Sequence, residues 1–206
     1  MLLDKRILLV EAHPDDIAWG CGGTIAKFKD KNEFRAISMT SCEEDPLNKG
    51  LLEENVKALN LLGVKTVMKN AGFERRTLSL HAQEIRDTLY RIKQDYEPEI
   101  VFCTSKNDFH QDHSVVGDCC TTIFRDSSTI LSYPILRSIG TYFKPLCFVV
   151  LSKENMKTKL KALSVFKTQY RRQYFKKRIV LADSIYYGTQ VNCDYAEALE
   201  IMEWVM

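Results

Sequence analysis

Two short polar segments hold the side chains of this sequence that could carry out chemistry. Residues 11–16 read Glu-Ala-His-Pro-Asp-Asp and residues 110–113 read His-Gln-Asp-His, so together they contain three of the four histidines of the chain. Imidazole and carboxylate groups are common ligands of a catalytic divalent metal, and sets rich in histidine favour zinc. Because zinc lowers the pKa of its water ligand to about 7, these segments are candidates for a hydrolytic metal site.

The elements around these segments determine whether they can meet. Patterns typical of buried strands occur at residues 5–11, 34–39, 64–68 and 99–104. Helices are predicted between them, at residues 22–31, 46–62 and 79–95. Strands that alternate with helices predict right-handed βαβ units. The expected fold class is therefore α/β, with a Rossmann-like, doubly wound, mostly parallel sheet flanked by helices in three layers.

The winding order of such a sheet places the two polar segments at one edge. In the order 3-2-1-4-5, strands 1 and 4 are neighbours and flank the topological switch point, where ligands bind beyond the carboxyl ends of the strands. Residues 11–16 follow strand 1, and residues 110–113 follow strand 4. We therefore expect two segments that lie about 100 residues apart to face each other.

The second half of the sequence is less regular. Residues 146–151 are predicted as a strand, residues 153–173 as a helix with a basic face, and residues 195–204 as a last amphipathic helix. No stretch rich in glycine, serine or proline divides the sequence, so we predict a single domain over residues 1–206.

Composition and charge exclude several classes of protein. The 206 residues are 45% apolar and 27% charged, which is typical of a soluble globular protein. A net charge of +2 favours neither nucleic acid nor an anionic membrane as a partner. The apolar runs are far shorter than the roughly 20 residues that cross a bilayer, and no secretory signal is recognised. Seven cysteines without a Cys-x-x-Cys pair indicate reduced thiols, so we expect a cytoplasmic protein.

Each motif also has an alternative interpretation. Asp15 or Asp16 could cap the backbone of a helix instead of meeting a metal. Residues 20–24, Gly-Cys-Gly-Gly-Thr, have some likeness to a dinucleotide-binding turn, but the Gly-x-Gly-x-x-Gly pattern is incomplete. We expect these glycines to let a helix pack closely on the sheet. If residues 20–24 did bind a nucleotide or a sugar, the alternative function would be that of a non-enzymatic binding module, which would need no metal.

The motifs resemble those of a known family. Residues 12–16, 20–24 and 110–113 are similar to the motifs of the PIG-L (LmbE-like) family of zinc-dependent N-acetylglucosaminyl deacetylases, and shorter similarities extend over nearly the whole chain. The resemblance implies a zinc-dependent N-deacetylase that removes the acetyl group from an amino sugar or an amino-sugar conjugate, such as a nucleotide-sugar or a glycoside. The alternative is a metal-dependent hydrolase of another small amide or of an O-acetyl ester.

The resemblance also implies a role for each site residue. The zinc ligands of the family correspond to His13, Asp16 and His113, and Fe²⁺ or another divalent metal can occupy a similar set. Asp15 corresponds to the general base. His110 corresponds to the histidine that stabilises the oxyanion and can protonate the leaving amine. Asp112 corresponds to the residue that orients this histidine and favours its charged form.

Two departures from the family pattern affect the expected substrate pocket. Leu51 stands where the family commonly has an arginine that contacts the sugar, and Phe166 replaces a histidine. We therefore expect an intact hydrolytic centre whose substrate can differ from the usual glucosaminyl conjugates. Relatives often form trimers or hexamers, so the resemblance also implies a homo-oligomer.

Overall fold

A sheet of seven strands runs through residues 3–205, which are the residues that the computed structural model describes. The strands are β1 (Arg6–Glu11), β2 (Glu33–Ser38), β3 (Thr66–Val67), β4 (Ile100–Thr104), β5 (Thr129–Tyr133), β6 (Cys147–Val150) and β7 (Ala196–Glu203). The helices are α1 (Asp16–Phe28), α2 (Leu51–Leu62), α3 (Ala82–Tyr96), α4 (Gln111–Phe124), α5 (Lys153–Leu163) and α6 (Lys177–Gln190).

The first five strands are parallel and follow the order β3-β2-β1-β4-β5. Beyond β5, the antiparallel strands β7 and β6 extend the sheet. β1 lies between β2 and β4, and its pairing with β4 runs from Ile7 opposite Ile100 to Leu9 opposite Phe102. The predicted fold class and winding order are confirmed, and the carboxyl ends of β1 and β4 lie side by side.

Helices cover both faces of the sheet and make three layers. α1, α2 and α5 pack together over one face, where the core includes Trp19 and Leu59. α3 and α4 pack together over the other face, where it includes Leu89 and Phe124. Successive side chains of a strand point to opposite faces, so the central strands must be apolar on both sides. This double burial explains the nearly continuous apolar runs from which the strands are predicted.

Residues 195–204, which the sequence predicts as an amphipathic helix, form strand β7 instead. β7 lies between β5 and β6, so its backbone groups are hydrogen-bonded on both sides. Glu197 and Glu200, which would form the polar face of the helix, are both buried. Lys159 lies 2.6 Å from Glu197, and Ser105 donates a hydrogen bond to Glu200 at 3.0 Å. The prediction is wrong because the partners of these two acids come from distant parts of the chain.

The glycine-rich segment lies inside α1, which begins at Asp16, earlier than the sequence predicts. The helix has a kink at Cys21, where the backbone leaves helical geometry. A Cβ atom on Gly20 would overlap the side chain of Tyr133, so glycine is what permits α1 to approach β5. The expectation that these glycines serve close packing is confirmed.

Other boundaries differ in ways that follow from local capping. Asp45 accepts the Leu47 N–H at 3.0 Å and caps a single 3-10 turn (Pro46–Asn48), so α2 begins only at Leu51. The helix predicted over residues 153–173 ends at Leu163 and is followed by further 3-10 turns. The elements α4, β5 and α6 have no counterpart in the sequence prediction. Within residues 3–205, no helix combines the length and apolar composition that crossing a membrane requires.

Candidate metal centre

The two polar segments meet beyond the carboxyl ends of β1 and β4, as their positions in the sequence predict. His13, shortly after β1, places its Nδ1 3.0 Å from Nε2 of His113, in the first turn of α4. Asp16, the first residue of α1, places its Oδ2 3.4 Å from each of these two nitrogens. Three donor atoms from segments 100 residues apart therefore form a small triangle.

The edges of this donor triangle have the lengths that tetrahedral coordination of a cation requires. Zinc binds imidazole nitrogen and carboxylate oxygen at about 2.0–2.2 Å. Neighbouring ligand atoms of a tetrahedron of that size lie about 3.3 Å apart, and the edges of the triangle measure 3.0–3.4 Å. A second arrangement is available, because His110 forms with His13 and His113 a group whose nitrogen atoms lie within 4.8 Å of one another.

Two aspartates orient the imidazole rings of the triangle. Asp108 Oδ2 lies 3.0 Å from Nδ1 of His113, and Asp112 Oδ2 lies 3.1 Å from Nε2 of His13. In each ring one nitrogen faces a carboxylate and the other faces the triangle, as in metal sites whose histidines are held by an outer carboxylate. Asp108 also accepts the His110 N–H at 2.7 Å. Asp108 was not among the predicted site residues, although its position two residues before His110 was an available signal.

The expected contact between Asp112 and the ring of His110 is not formed. The Asp112 carboxylate turns to His13 and accepts the Arg76 N–H at 2.7 Å. His110 Nδ1 accepts the backbone N–H of Asp112 at 3.2 Å and so caps α4. Burial, reinforced by the positive charge of His13 and His113, lowers the pKa of His110 to about 4. The hydrogen bond that was expected to favour a charged His110 is therefore absent, because the Asp112 carboxylate contacts the ring of His13 instead.

Asp15 keeps its carboxylate free of hydrogen bonds to the described residues. The residue is 6% exposed, and its side chain has no hydrogen-bond partner among residues 3–205. The Ile17 N–H, in the first turn of α1, is accepted at 3.0 Å by Glu11 Oε2. Asp16 accepts the N–H of His13 at 2.8 Å rather than an amide of the helix, so the capping alternative is wrong for both aspartates. Burial and the nearby Asp16 carboxylate raise the pKa of Asp15 to about 6.

Glu11 is a second residue whose contribution to the site was not predicted. It ends β1 and is fully buried. Its Oε1 accepts the Ser38 hydroxyl at 2.5 Å and also contacts the amide nitrogen of Asn55. Burial raises the pKa of Glu11 to about 8. By joining β1, β2 and α2 to the start of α1, Glu11 fixes the turn that carries Asp15 and Asp16. The signal in the sequence that could have identified Glu11 was a single acid at the end of an apolar strand.

A cavity of about 1010 Å³ opens over the donor triangle and Asp15. Leu51, one of the two departures from the family pattern, lines this cavity. Phe166, the other departure, packs instead against Phe175 in the core and does not line it. Phe109 and Tyr174 provide aromatic surface to the cavity.

Comparisons with protein families and with known proteins agree with one another. The model of the PIG-L family, described as GlcNAc-PI de-N-acetylase, matches residues 8–124. The chain is 31% identical over 172 residues to YaiS of Escherichia coli (strain K12), an uncharacterized deacetylase, and the match covers 80% of this chain and 91% of the relative.

Two diacetylchitobiose deacetylases are also similar to the chain. The enzyme of Thermococcus kodakarensis is 26% identical over 225 residues, which cover 96% of this chain and 83% of the relative. The solved structure of N,N'-diacetylchitobiose deacetylase from Pyrococcus horikoshii superposes with a TM-score of 0.80 at 25% identity, over 96% of this chain and 84% of that one. From these matches and the motifs at the candidate metal centre, the chain belongs to the PIG-L family of de-N-acetylases.

Proposed function

We propose that this protein is a metal-dependent hydrolase that removes the N-acetyl group from an amino sugar or an amino-sugar conjugate, with zinc as the metal and Fe²⁺ as the alternative. The observation that carries the proposal is the donor triangle of His13, Asp16 and His113 with the free carboxylate of Asp15 beside it in the same cavity. The substrate class is supported by the two similar diacetylchitobiose deacetylases.

The proposed metal ligands are His13, Asp16 and His113. A bound divalent cation would polarise the acetyl carbonyl and lower the pKa of the attacking water. Asp112 and Asp108 hold the two imidazoles of this set, so we assign positioning roles to both. In this proposal Asp112 acts through His13 and not through His110.

Two proton transfers accompany amide hydrolysis, one from the water and one to the departing nitrogen. We assign both to Asp15, whose carboxylate has no competing hydrogen bond among residues 3–205. Asp15 accepts the proton of the water and then donates it to the amine, so that acetate and a free amino sugar leave. His110 uses Nδ1 as an acceptor at α4, which leaves the Nε2 proton to hydrogen-bond the carbonyl oxygen as negative charge develops there. Such a donor typically contributes about 3 kcal/mol.

The variant Asp15→Asn tests this assignment because it removes the proton acceptor and keeps the shape of the side chain. We expect acetate release from N-acetylated amino sugars to fall about 10²–10⁴-fold. Elemental analysis of the same preparation should still find stoichiometric zinc, because Asp15 is not one of the proposed ligands. Asp118→Asn makes the same chemical change at an exposed position of α4 and serves as the control.

Each contrary result has a definite meaning. Unchanged turnover in Asp15→Asn would remove Asp15 as the proton acceptor. Loss of zinc from that variant would place Asp15 among the metal ligands and displace one member of the donor triangle.

We further propose a cytoplasmic protein that acts on a small molecule. All seven cysteines are free, and five of them are buried. Unpaired thiols in this number support a reducing compartment, since secreted proteins usually pair their cysteines.

A further inference from the structure

Four arginines from three separate loops line the cavity over the donor triangle. One comes from the segment between β3 and α3, one follows β5, and two follow α5. We call this group the arginine rim, and its members are Arg76, Arg137, Arg171 and Arg172. None of the four pairs with a carboxylate among residues 3–205.

Two members of the rim are anchored by neutral acceptors. Arg171 donates from Nη1 to the Leu47 carbonyl oxygen at 3.0 Å and from Nη2 to Asn48 Oδ1 at 2.9 Å. Arg172 donates from Nη1 to the hydroxyl oxygen of Tyr174 at 3.2 Å. These contacts orient the guanidinium groups, and neither group forms an ion pair with a carboxylate of the described residues.

The other two members have free side chains. The backbone of Arg76 is in the left-handed region, with φ at 68°, and its N–H is held by Asp112. Its guanidinium group makes no hydrogen bond or ion pair within residues 3–205, and neither does that of Arg137. Charged side chains that line a cavity without partners are available to a ligand.

The cavity as a whole carries an excess of positive charge. Five arginines line it against three aspartates, which leaves two positive charges in excess. The fifth arginine, Arg75, is not part of the rim, because it pairs with Asp45 at 3.0 Å. The other two aspartates, Asp15 and Asp16, lie at the donor triangle, where a cation would bind. A partly enclosed surface of one sign raises the local concentration of ligands of the opposite sign.

Arg172 gives independent evidence for a ligand, because one of its donors lacks a hydrogen-bond acceptor in the protein. Its Nε–H is buried and has no hydrogen-bond partner among the described residues. A buried donor without an acceptor costs free energy, and this cost disappears when a ligand oxygen takes its place opposite the donor.

The size of the cavity fits a substrate larger than one sugar. Ligand cavities typically measure about 300–1,000 Å³, and this one, at about 1010 Å³, is at the upper end of that range. A sugar held with its acetamido group at the donor triangle therefore leaves space for a substituent, and the arginine rim lines that space.

We propose that the arginine rim binds a phosphate or diphosphate group carried by the acetylated amino sugar. The inference rests on the proposed function and deepens it, because it names a phosphorylated conjugate as the substrate class. Guanidinium groups present planar pairs of N–H donors that match the oxygens of phosphate, and four of them suit a group that carries more than one negative charge.

Binding of inorganic pyrophosphate tests the rim without any need for hydrolysis. The protein is first treated with chelator, so that pyrophosphate cannot bind through a metal, and titrated in a calorimeter. We expect measurable binding that weakens about tenfold or more in Arg137→Gln and in Arg172→Gln. Arg137→Gln is the cleaner variant, because it removes no hydrogen bond or ion pair that the side chain makes within residues 3–205. Arg125→Gln, at the exposed C-terminal end of α4, removes the same charge outside the cavity and should bind as the wild type does.

Kinetics then relate the rim to the substrate. We expect kcat/KM for N-acetylglucosamine 1-phosphate to exceed that for methyl N-acetylglucosaminide, and the ratio of the two to fall about tenfold in each rim variant. The ratio is the readout, because it cancels general losses of activity. Arg125→Gln should keep the ratio of the wild type.

The two experiments separate failure of the rim from failure of the proposed function. Pyrophosphate binding that depends on the rim in a protein that deacetylates no sugar would support the rim and contradict the proposed function. Deacetylation of both sugars at one rate, with no binding of pyrophosphate, would overturn the rim and leave the proposed function intact. Binding that is unchanged in both rim variants would also overturn it.

Discussion

Asp16 and His110 offer different third donors to the metal that His13 and His113 are proposed to bind. Asp16 Oδ2 completes the donor triangle at 3.4 Å, whereas His110 already uses Nδ1 as an acceptor for the Asp112 N–H. We therefore expect Asp16→Ala to lose zinc. We expect His110→Ala to keep zinc and to lose about 10²–10³-fold in kcat, the usual effect of removing an oxyanion donor.

Elemental analysis and acetate release, measured on the same preparations, decide between the two donors. His81→Ala removes the one histidine outside the centre and serves as the control, with zinc and activity retained. Zinc lost from His110→Ala and retained in Asp16→Ala would assign the metal to the three histidines instead.

At the residue scale, the sequence predicted which side chains gather but not which atoms meet. The motifs and the strand order were enough to place His13 beside His113 across 100 residues. The direction of Asp112 was not predictable, because its carboxylate meets the Arg76 N–H, and that amide belongs to a loop with left-handed backbone far from either motif. Asp108 was missed although it lies two residues before His110, because one of its oxygens orients His113 on α4, a helix that the sequence did not predict.

At the scale of elements, Gly117 sets the distance between α4 and the segment after β4. A methyl group there would overlap the Thr104 carbonyl oxygen and the Lys106 amide nitrogen, backbone atoms that cannot rotate away. We expect Gly117→Ala to lower the free energy of unfolding by about 1–3 kcal/mol. It should also weaken zinc binding, because α4 carries His113.

Urea denaturation and zinc titration measure these two effects of Gly117→Ala. Asp118→Ala, at the exposed next position of α4, makes a similar gain in helix propensity and should reduce neither stability nor affinity. A Gly117→Ala variant as stable as the wild type would show that α4 shifts without cost and that this packing does not position the site.

The predicted boundaries and types of the elements were wrong where tertiary contacts outweigh the local pattern of apolar and polar residues. The parallel strands were predictable because burial on both faces leaves a direct mark on the sequence. The start of α1 was not, because the Ile17 N–H in its first turn is accepted by Glu11 from the preceding strand, whereas the side chains of Asp15 and Asp16 at the boundary cap no amide of the helix. β7 was assigned the wrong element type because its acids find buried partners instead of solvent.

At the scale of the whole molecule, Glu197 links the last strand to the helix that begins the metal centre. Its two carboxylate oxygens accept the N–H groups of Gly23 and Thr24, at 2.8 Å and 2.6 Å. Lys159 of α5 completes the group. The family model matches only residues 8–124, yet β7 lies beyond that range and supports the kinked part of α1. The second half of the chain is therefore part of the structure that positions the site.

The contribution of the second half of the chain to stability can be measured at the pair Lys159–Glu197. Both side chains are buried, with 1% and 2% exposure, so removing the lysine leaves an uncompensated charge in the interior. We expect Lys159→Met to lower the free energy of unfolding by about 3–5 kcal/mol, and the double variant Lys159→Met/Glu197→Gln to recover most of that loss. The recovery is expected because glutamine still accepts a backbone N–H of α1 and carries no charge.

Urea denaturation of the single and double variants measures the coupling between the two side chains. The pair Lys57–Glu53 has the same 2.6 Å separation but side chains that are 60% and 73% exposed, so Lys57→Met should cause a far smaller loss of stability. A double variant no more stable than Lys159→Met would show that the hydrogen bonds from Glu197 to α1, and not its charge, stabilise this region. In that case the link between β7 and the metal centre would be one of backbone capping, and Glu197→Gln alone would be the more damaging change.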